Sequence, residues 1–142
     1  MKNVIITGTS NGFGNMSAKQ FADNGYKVYA AMRNTEGKNL PVKQELEAYS
    51  EHIEVVDMDV CSDESVKTAF DHIIEKEGSI DVLINNAGIM HMGVTEAFSP
   101  EQANQLMDTN YYGIIRTIQA VASNMRRAGK GLIINTTSVV GR

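Results

Sequence analysis

The chain has 142 residues, with 13 Lys and Arg against 17 Asp and Glu, a formal net charge of −4, 42% hydrophobic residues and 21% charged residues. These proportions fit one globular domain with its own core and exclude a disordered chain, a collagen or a coiled coil. The mildly acidic balance speaks against a dedicated nucleic-acid binder. Cys61, the one cysteine, leaves no intrachain disulfide or multi-cysteine metal site and fits a reducing, cytoplasmic setting.

No apolar run is long enough to span a membrane. The N-terminus passes at once into a strand-like run and a glycine loop, so no cleavable leader is expected. No internal repeat or low-complexity linker interrupts the chain, and residues 1–142 read as one domain.

Short apolar runs alternate with segments of helical period. Residues 4–6 read as a buried strand, 13–24 as a helix stopped by Asn24-Gly25, and 26–32 as the next strand. Residues 41–50 carry helix formers behind Pro41, and 53–58 form a third strand. The segment 63–77 places Val66, Ala69, Phe70, Ile73 and Ile74 on one helix face. A fourth strand covers 81–85, one long helix covers 100–127 behind Pro100, and a fifth strand covers 132–137. Five strands alternating with four helices predict an α/β fold, a doubly wound parallel sheet with helices on both faces. Ligands of such sheets sit beyond the carboxyl ends of the strands. The unusual residues of this sequence fall there.

Thr7-Gly8-Thr9-Ser10-Asn11-Gly12-Phe13-Gly14 follows the first strand and opens a helix. Glycines let backbone approach a ligand closely, and a helix N-terminus offers free N–H groups to a pyrophosphate. The alternative is a glycine-rich turn with no ligand. The second strand ends in Met32 and Arg33, where an NAD-binding sheet would carry an acid for the ribose hydroxyls. A guanidinium there suits the 2′-phosphate of NADP, so NADP is favoured over NAD; the alternative is a solvated surface arginine. His52, His72 and His91 lack metal-ligand spacing, and no metal is expected. Cys61 reads as a small packed residue rather than a nucleophile.

Asn85-Asn86-Ala87-Gly88 after the fourth strand completes a set of motifs that strongly resembles the short-chain dehydrogenase/reductase family. The others are Thr7 to Gly14, Asp59-Val60 after the third strand, Asn110-Tyr111-Tyr112-Gly113 inside the long helix, and the run from Ile133 to Gly141 with Ser138. The resemblance covers the whole chain. It implies a Rossmann-type sheet truncated after its fifth strand, and an NADP-dependent oxidoreductase that interconverts an alcohol and a carbonyl by hydride transfer.

On that resemblance Gly8, Gly12 and Gly14 shape the diphosphate loop, with Ser10, Asn11 and Phe13 beside the cofactor. Arg33 meets the 2′-phosphate, and Asp59 and Val60 flank the adenine. Asn86, Ala87 and Gly88 line the path to the nicotinamide ribose. Asn110 corresponds to the asparagine that holds a proton-relay water, and Ser138 to the catalytic serine. The expected partners are a small-molecule alcohol or carbonyl and, by analogy, further copies of the chain packed through the long helix.

The family's Tyr-x-x-x-Lys acid/base is missing. No tyrosine at 26, 29, 49, 111 or 112 has a lysine four residues on. The chain is therefore expected to be the N-terminal part of a longer protein and inactive alone. The competing reading is a non-catalytic dinucleotide-binding or sensor module.

Overall fold

The computed structural model, which describes residues 1–138, is built on a parallel five-stranded sheet in the order β3-β2-β1-β4-β5. The strands are β1 (Asn3–Thr7), β2 (Lys27–Met32), β3 (Ile53–Asp57), β4 (Val82–Asn85) and β5 (Leu132–Asn135). The helices are α1 (Gly12–Asp23), α2 (Leu40–Tyr49), α3 (Asp63–Glu77), α4 (Pro100–Met107) and α5 (Gly113–Ala128).

β1 is the central strand, and all five of its residues are buried. Its side chains alternate between faces, as strand geometry requires. Val4 and Ile6 join Ala18 of α1, Leu46 of α2, Val28 and Ile84 in one core cluster. Ile5 joins Phe70 and Ile73 of α3, Val121 and Met125 of α5, and Leu83 in the other. One strand thus holds helix pairs on both faces, the doubly wound arrangement that the strand–helix alternation predicts. From β1 the chain winds outward through β2 to β3, then returns to β4 on the other side of β1. That reversal opens a crevice between the carboxyl ends of β1 and β4.

Helix ends follow local chemistry. The Ser62 side chain caps α3 by accepting from the Ser65 amide at 3.2 Å, and Asp63 and Glu64 occupy its first turn. Ser99 and Gln102 form a reciprocal capping box at α4, with Pro100 behind it. α5 stops at Gly129, whose φ of +66° suits a residue without Cβ.

Two features depart from the sequence reading. The single helix expected over 100–127 is interrupted by a π-helical turn, Asp108–Tyr112, between α4 and α5. The turn coincides with Asn110, whose side chain engages backbone outside the helix, and with Gly113, which lets the helix press against Val60. A short 3₁₀ turn, Thr95–Ala97, has no counterpart in the sequence reading. β5 ends at Asn135, two residues before the expected limit of 137, and other boundaries move by about one residue, the usual fraying of element ends. No helix among the described residues is long and apolar enough to cross a membrane.

Candidate functional site

The site begins where β1 and β4 end side by side. The buried Thr7 hydroxyl accepts from the Asn86 and Ala87 amides at 3.0 and 2.9 Å. Asn86 Nδ2 returns bonds to the Thr7 and Gly8 carbonyls at 2.9 and 3.2 Å. The two loops therefore form one unit. Its closeness explains two glycines. A Cβ at Gly8 would lie 2.7 Å from Ala87 Cα, and one at Gly14 would lie 2.3 Å from the Gly8 carbonyl oxygen.

Thr9, fully buried, is fixed to the Ala31 carbonyl through both its amide and its hydroxyl. Asn11, at the N-cap of α1, makes no side-chain capping bond. The loop thus presents an uncapped helix start, an arrangement suited to an anion.

Past β2 and β3 a second wall forms. Arg33 Nη1 lies 3.8 Å from Asp59 Oδ2, with both side chains more than a third exposed. The Asp59 carboxylate is oriented by the Cys61 amide at 2.9 Å. The turn after β2 is rigidly held. Asp57 Oδ2 accepts from the Thr35 amide and hydroxyl at 2.8 and 2.7 Å, and Asn39 Nδ2 donates to the Arg33 carbonyl at 2.7 Å. Asn34 takes a φ of +55° in this turn, a conformation that asparagine tolerates better than most residues.

The third wall joins the loop after β4 to the π turn. Asn110 clamps Ile89, accepting from its amide and donating to its carbonyl, each at 2.8 Å. Gly88 packs beside the same side chain, where a Cβ would meet Asn110 Oδ1 at 3.4 Å, ordinary contact distance. The neighbouring Thr109 hydroxyl lies 3.3 Å from Cys61 Sγ. Burial pushes the Cys61 thiol above its ordinary range, which disfavours the thiolate.

These walls enclose a cleft of about 550 Å³. The glycine loop contributes Gly8, Ser10, Asn11, Gly12 and Phe13 to its lining. Arg33, Asp59 and Val60 line the second wall, and Asn86, Ala87 and Gly88 line the third. Of the cofactor residues expected from sequence, Gly14 alone is off the lining, packed beneath the loop where it permits the close approach to Gly8. Asn110 acts on the lining residue Ile89 instead of lining the cleft itself. Ser138, three residues past β5, is solvent-exposed and not part of this lining. Val139, Val140 and Gly141 of its motif lie outside the described residues.

Sequence reasoning missed Lys38, Asn39, Ile89 and Thr109, which also line the cleft. The helical register of Thr109 and the turn at 34–39 carry no local motif that marks them. Asn85, beside Asn86 in the motif, points inward. It donates to Asn135 Oδ1 at 2.9 Å and accepts from the Thr117 hydroxyl at 2.7 Å, linking β4, β5 and α5. No group of three or more acidic, histidine or cysteine side chains among the described residues is placed to hold a metal ion.

The cleft lies at the switch point of a doubly wound sheet, with a glycine loop feeding an uncapped helix, which is where sheets of this class take their ligands. The sequence pattern of the short chain dehydrogenases matches residues 2–142, and the chain belongs to that family. It is 36% identical over 141 residues to a 3-ketodihydrosphingosine reductase of Bacteroides thetaiotaomicron, covering 97% of this chain and 47% of the relative. It is 36% identical over 143 residues to retinol dehydrogenase 8 of Bos taurus, covering 99% of this chain and 45% of the relative. A crystal structure of a gluconate 5-dehydrogenase from Burkholderia cenocepacia, in complex with NADP and tartrate, superposes with a TM-score of 0.87 at 33% identity. That match covers 97% of this chain and 54% of the other. The chain spans about half the length of the curated relatives it matches.

Proposed function

We propose that this chain supplies the NADP-binding half of an oxidoreductase that interconverts an alcohol and a carbonyl. The observation that carries the reading is the convergence of the glycine loop, Arg33, Asp59-Val60 and Asn86-Ala87-Gly88 on one cleft, although they lie far apart in sequence. The residues fit such a group. The glycines leave room for a backbone–diphosphate approach, the start of α1 faces the same space, and Arg33 offers a fork for a phosphate. The NADP in the gluconate 5-dehydrogenase structure supports the same choice of cofactor.

When bound, the nicotinamide would accept or donate the hydride. The chain's own residues would bind and orient. Gly8 and Gly12 would cradle the diphosphate, with Gly14 holding the loop shape. Arg33 would pair with the 2′-phosphate and exchange its long contact to Asp59 for a charge-assisted one. Asn86, Ala87 and Gly88 would guide the nicotinamide ribose. Asn110 retains one N–H and one oxygen lone pair beyond its Ile89 bonds, and these are what it has to offer a proton relay. Ser138 would polarise the substrate oxygen. No Tyr-x-x-x-Lys pair occurs in the 142 residues, so the final proton transfer is assigned to no residue of this chain. The second reading is cofactor binding without turnover.

The substrate names among the relatives differ widely, a sphingoid ketone, a retinoid and a sugar acid, while each match covers almost all of this chain. This supports assigning the chain to cofactor handling and substrate choice to other segments.

NADPH titration followed by nucleotide fluorescence tests the proposal. Gly14→Val is expected to abolish binding, because its side chain collides with the Gly8 carbonyl and Asn86. Arg33→Ala is expected to weaken NADPH by roughly tenfold or more and leave NADH nearly unchanged, the loss of a charge-assisted contact. An unchanged NADPH preference in Arg33→Ala would remove the 2′-phosphate assignment. Binding with no turnover of any alcohol or ketone by the intact protein would favour the second reading.

A further inference from the structure

Arg116, at the end of the first turn of α5, plays no part in the cofactor contacts assigned above. Yet its guanidinium spans three separate elements. Nε donates to Asp63 Oδ1, at the first residue of α3, at 2.6 Å. Nη2 lies 2.8 Å from Asp108 Oδ1. Nη1 donates to the Val60 carbonyl at 3.1 Å and to the Asp108 carbonyl at 3.3 Å. The side chain is only 22% exposed. Few groups other than a planar five-donor fork can serve this many acceptors at once.

Two of those acceptors matter for the cleft. Val60 is part of its wall. The Asp108 carbonyl also accepts from the Gly113 amide, the i→i+5 bond that makes this turn π rather than α. Arg116 therefore bonds the same carbonyl that closes the π turn. Gly113 brings the helix against Val60 at the same place, since a Cβ there would lie 3.0 Å from Val60 Cγ2. Two residues into the turn, Asn110 makes its paired bonds to Ile89. If the turn relaxed to α register, Asn110 would rotate by about 100° relative to α5, one residue's worth of helix. Both bonds to Ile89 would then break.

We propose that Arg116 is a positioning residue that holds the π turn in the register placing Asn110 against Ile89, and that ties this register to the Val60 wall of the cleft. One side chain would thereby set the geometry of the two ends of the site together. The meaning of those ends rests on the reductase reading, but the clamp itself does not.

Amide hydrogen exchange by NMR on the intact, cofactor-free protein reads the clamp at the Ile89 amide. In Arg116→Met, exchange at Ile89 is expected to accelerate roughly tenfold, while the core amides of Val28 and Leu83 keep their protection. Arg116→Lys keeps the charge but not the fork, so Ile89 stays fast. In an Asn110→Ala background, where the Ile89 bonds are already gone, Arg116→Met is expected to add nothing at Ile89. NADPH affinity in Arg116→Met should fall several-fold with no change in the NADPH-over-NADH ratio, which Arg33 governs.

Unchanged Ile89 exchange, additive effects in the double variant, or uniform acceleration across the core would each overturn the proposal. Should Arg116→Met fail to fold, Asp108→Asn removes one charged acceptor and must still accelerate Ile89 selectively; if it does not, the proposal is wrong. Failure of the wild type to bind NADPH would overturn the reductase reading and leave the exchange result standing.

Discussion

β1 and β5 are both short apolar runs that end in a polar residue, Asn-Val-Ile-Ile-Thr and Leu-Ile-Ile-Asn, yet they live in different surroundings. Every residue of β1 is buried, whereas Leu132 and Ile134 of β5 are 53% and 40% exposed. The difference comes from position in the sheet. Among the described residues, β1 is flanked by β2 and β4 and covered by helices on both faces, while β5 pairs with β4. Hydrophobic patterning reports that a segment is able to be buried; sheet order decides how far it is. The opposite edge strand, β3, is finished differently. Its Glu54 pairs with Lys76 and Lys27 and lies 3.2 Å from His72 Nε2, and such charges on an edge strand disfavour edge-to-edge pairing.

The largest test of this contrast is truncation of matched isoleucines. Ile5→Ala, at a fully buried position, is expected to cost about 2–5 kcal/mol, whereas Ile134→Ala should cost less than about 1 kcal/mol. Urea unfolding of the two variants measures both. Equal costs would show that β5 is covered in solution and would erase the distinction.

A smaller effect is expected at Asn85, which links the two regions. Asn85→Ala removes the bonds to the Thr117 hydroxyl and to Asn135; because the Thr117 hydroxyl keeps the Ile114 carbonyl at 2.9 Å and Asn135 is exposed, the expected cost is about 0.5–1.5 kcal/mol. Hydrogen exchange should rise first at the β5 amides and leave β1 protected. Simultaneous loss of protection in both strands would mean that the sheet opens as one unit.

The smallest expected effect is electrostatic, at the other end of the same strands. Burial alone would raise the Asp81 carboxyl, but Lys130 at 2.7 Å and the Asn3 amide at 3.0 Å outweigh it and hold the group below the usual aspartate range. The folded pKa lies below the unfolded one. The stabilisation is therefore complete above the unfolded value near 4 and disappears as pH falls through the folded value. Urea midpoints should drop more steeply below about pH 4 in the wild type than in Asp81→Asn. Parallel pH profiles would remove Asp81 from the account.

The sheet and the cleft were legible in the sequence to different depths. Thr7 to Gly14 announces its place because a strand, then glycines, then a helix is a local pattern, and Gly14 sits as close to Gly8 as that pattern demands. Arg33 and Asp59 were each visible as residues after strands, but their 3.8 Å pairing was not, since it depends on β2 and β3 lying side by side. Lys38 and Thr109 carry no local mark and reach the cleft only through tertiary packing. Asn110 and Gly113 were legible as misfits in a helix. The π turn at which they sit was not, because it meets Ile89, Val60 and, through Arg116, Asp63, all from elsewhere in the chain.

The sequence by itself therefore determined the alternation of strands and helices, the parallel sheet and the residues that collect at its carboxyl edge. Each of these follows from periodicity or from backbone preferences within a few neighbouring residues. Only the tertiary structure decided which apolar strand is buried and which asparagine of the pair faces inward. It also decided how one arginine joins the π turn to the cleft wall. Those outcomes depend on contacts between residues far apart in the chain, and no local pattern encodes the distance between them.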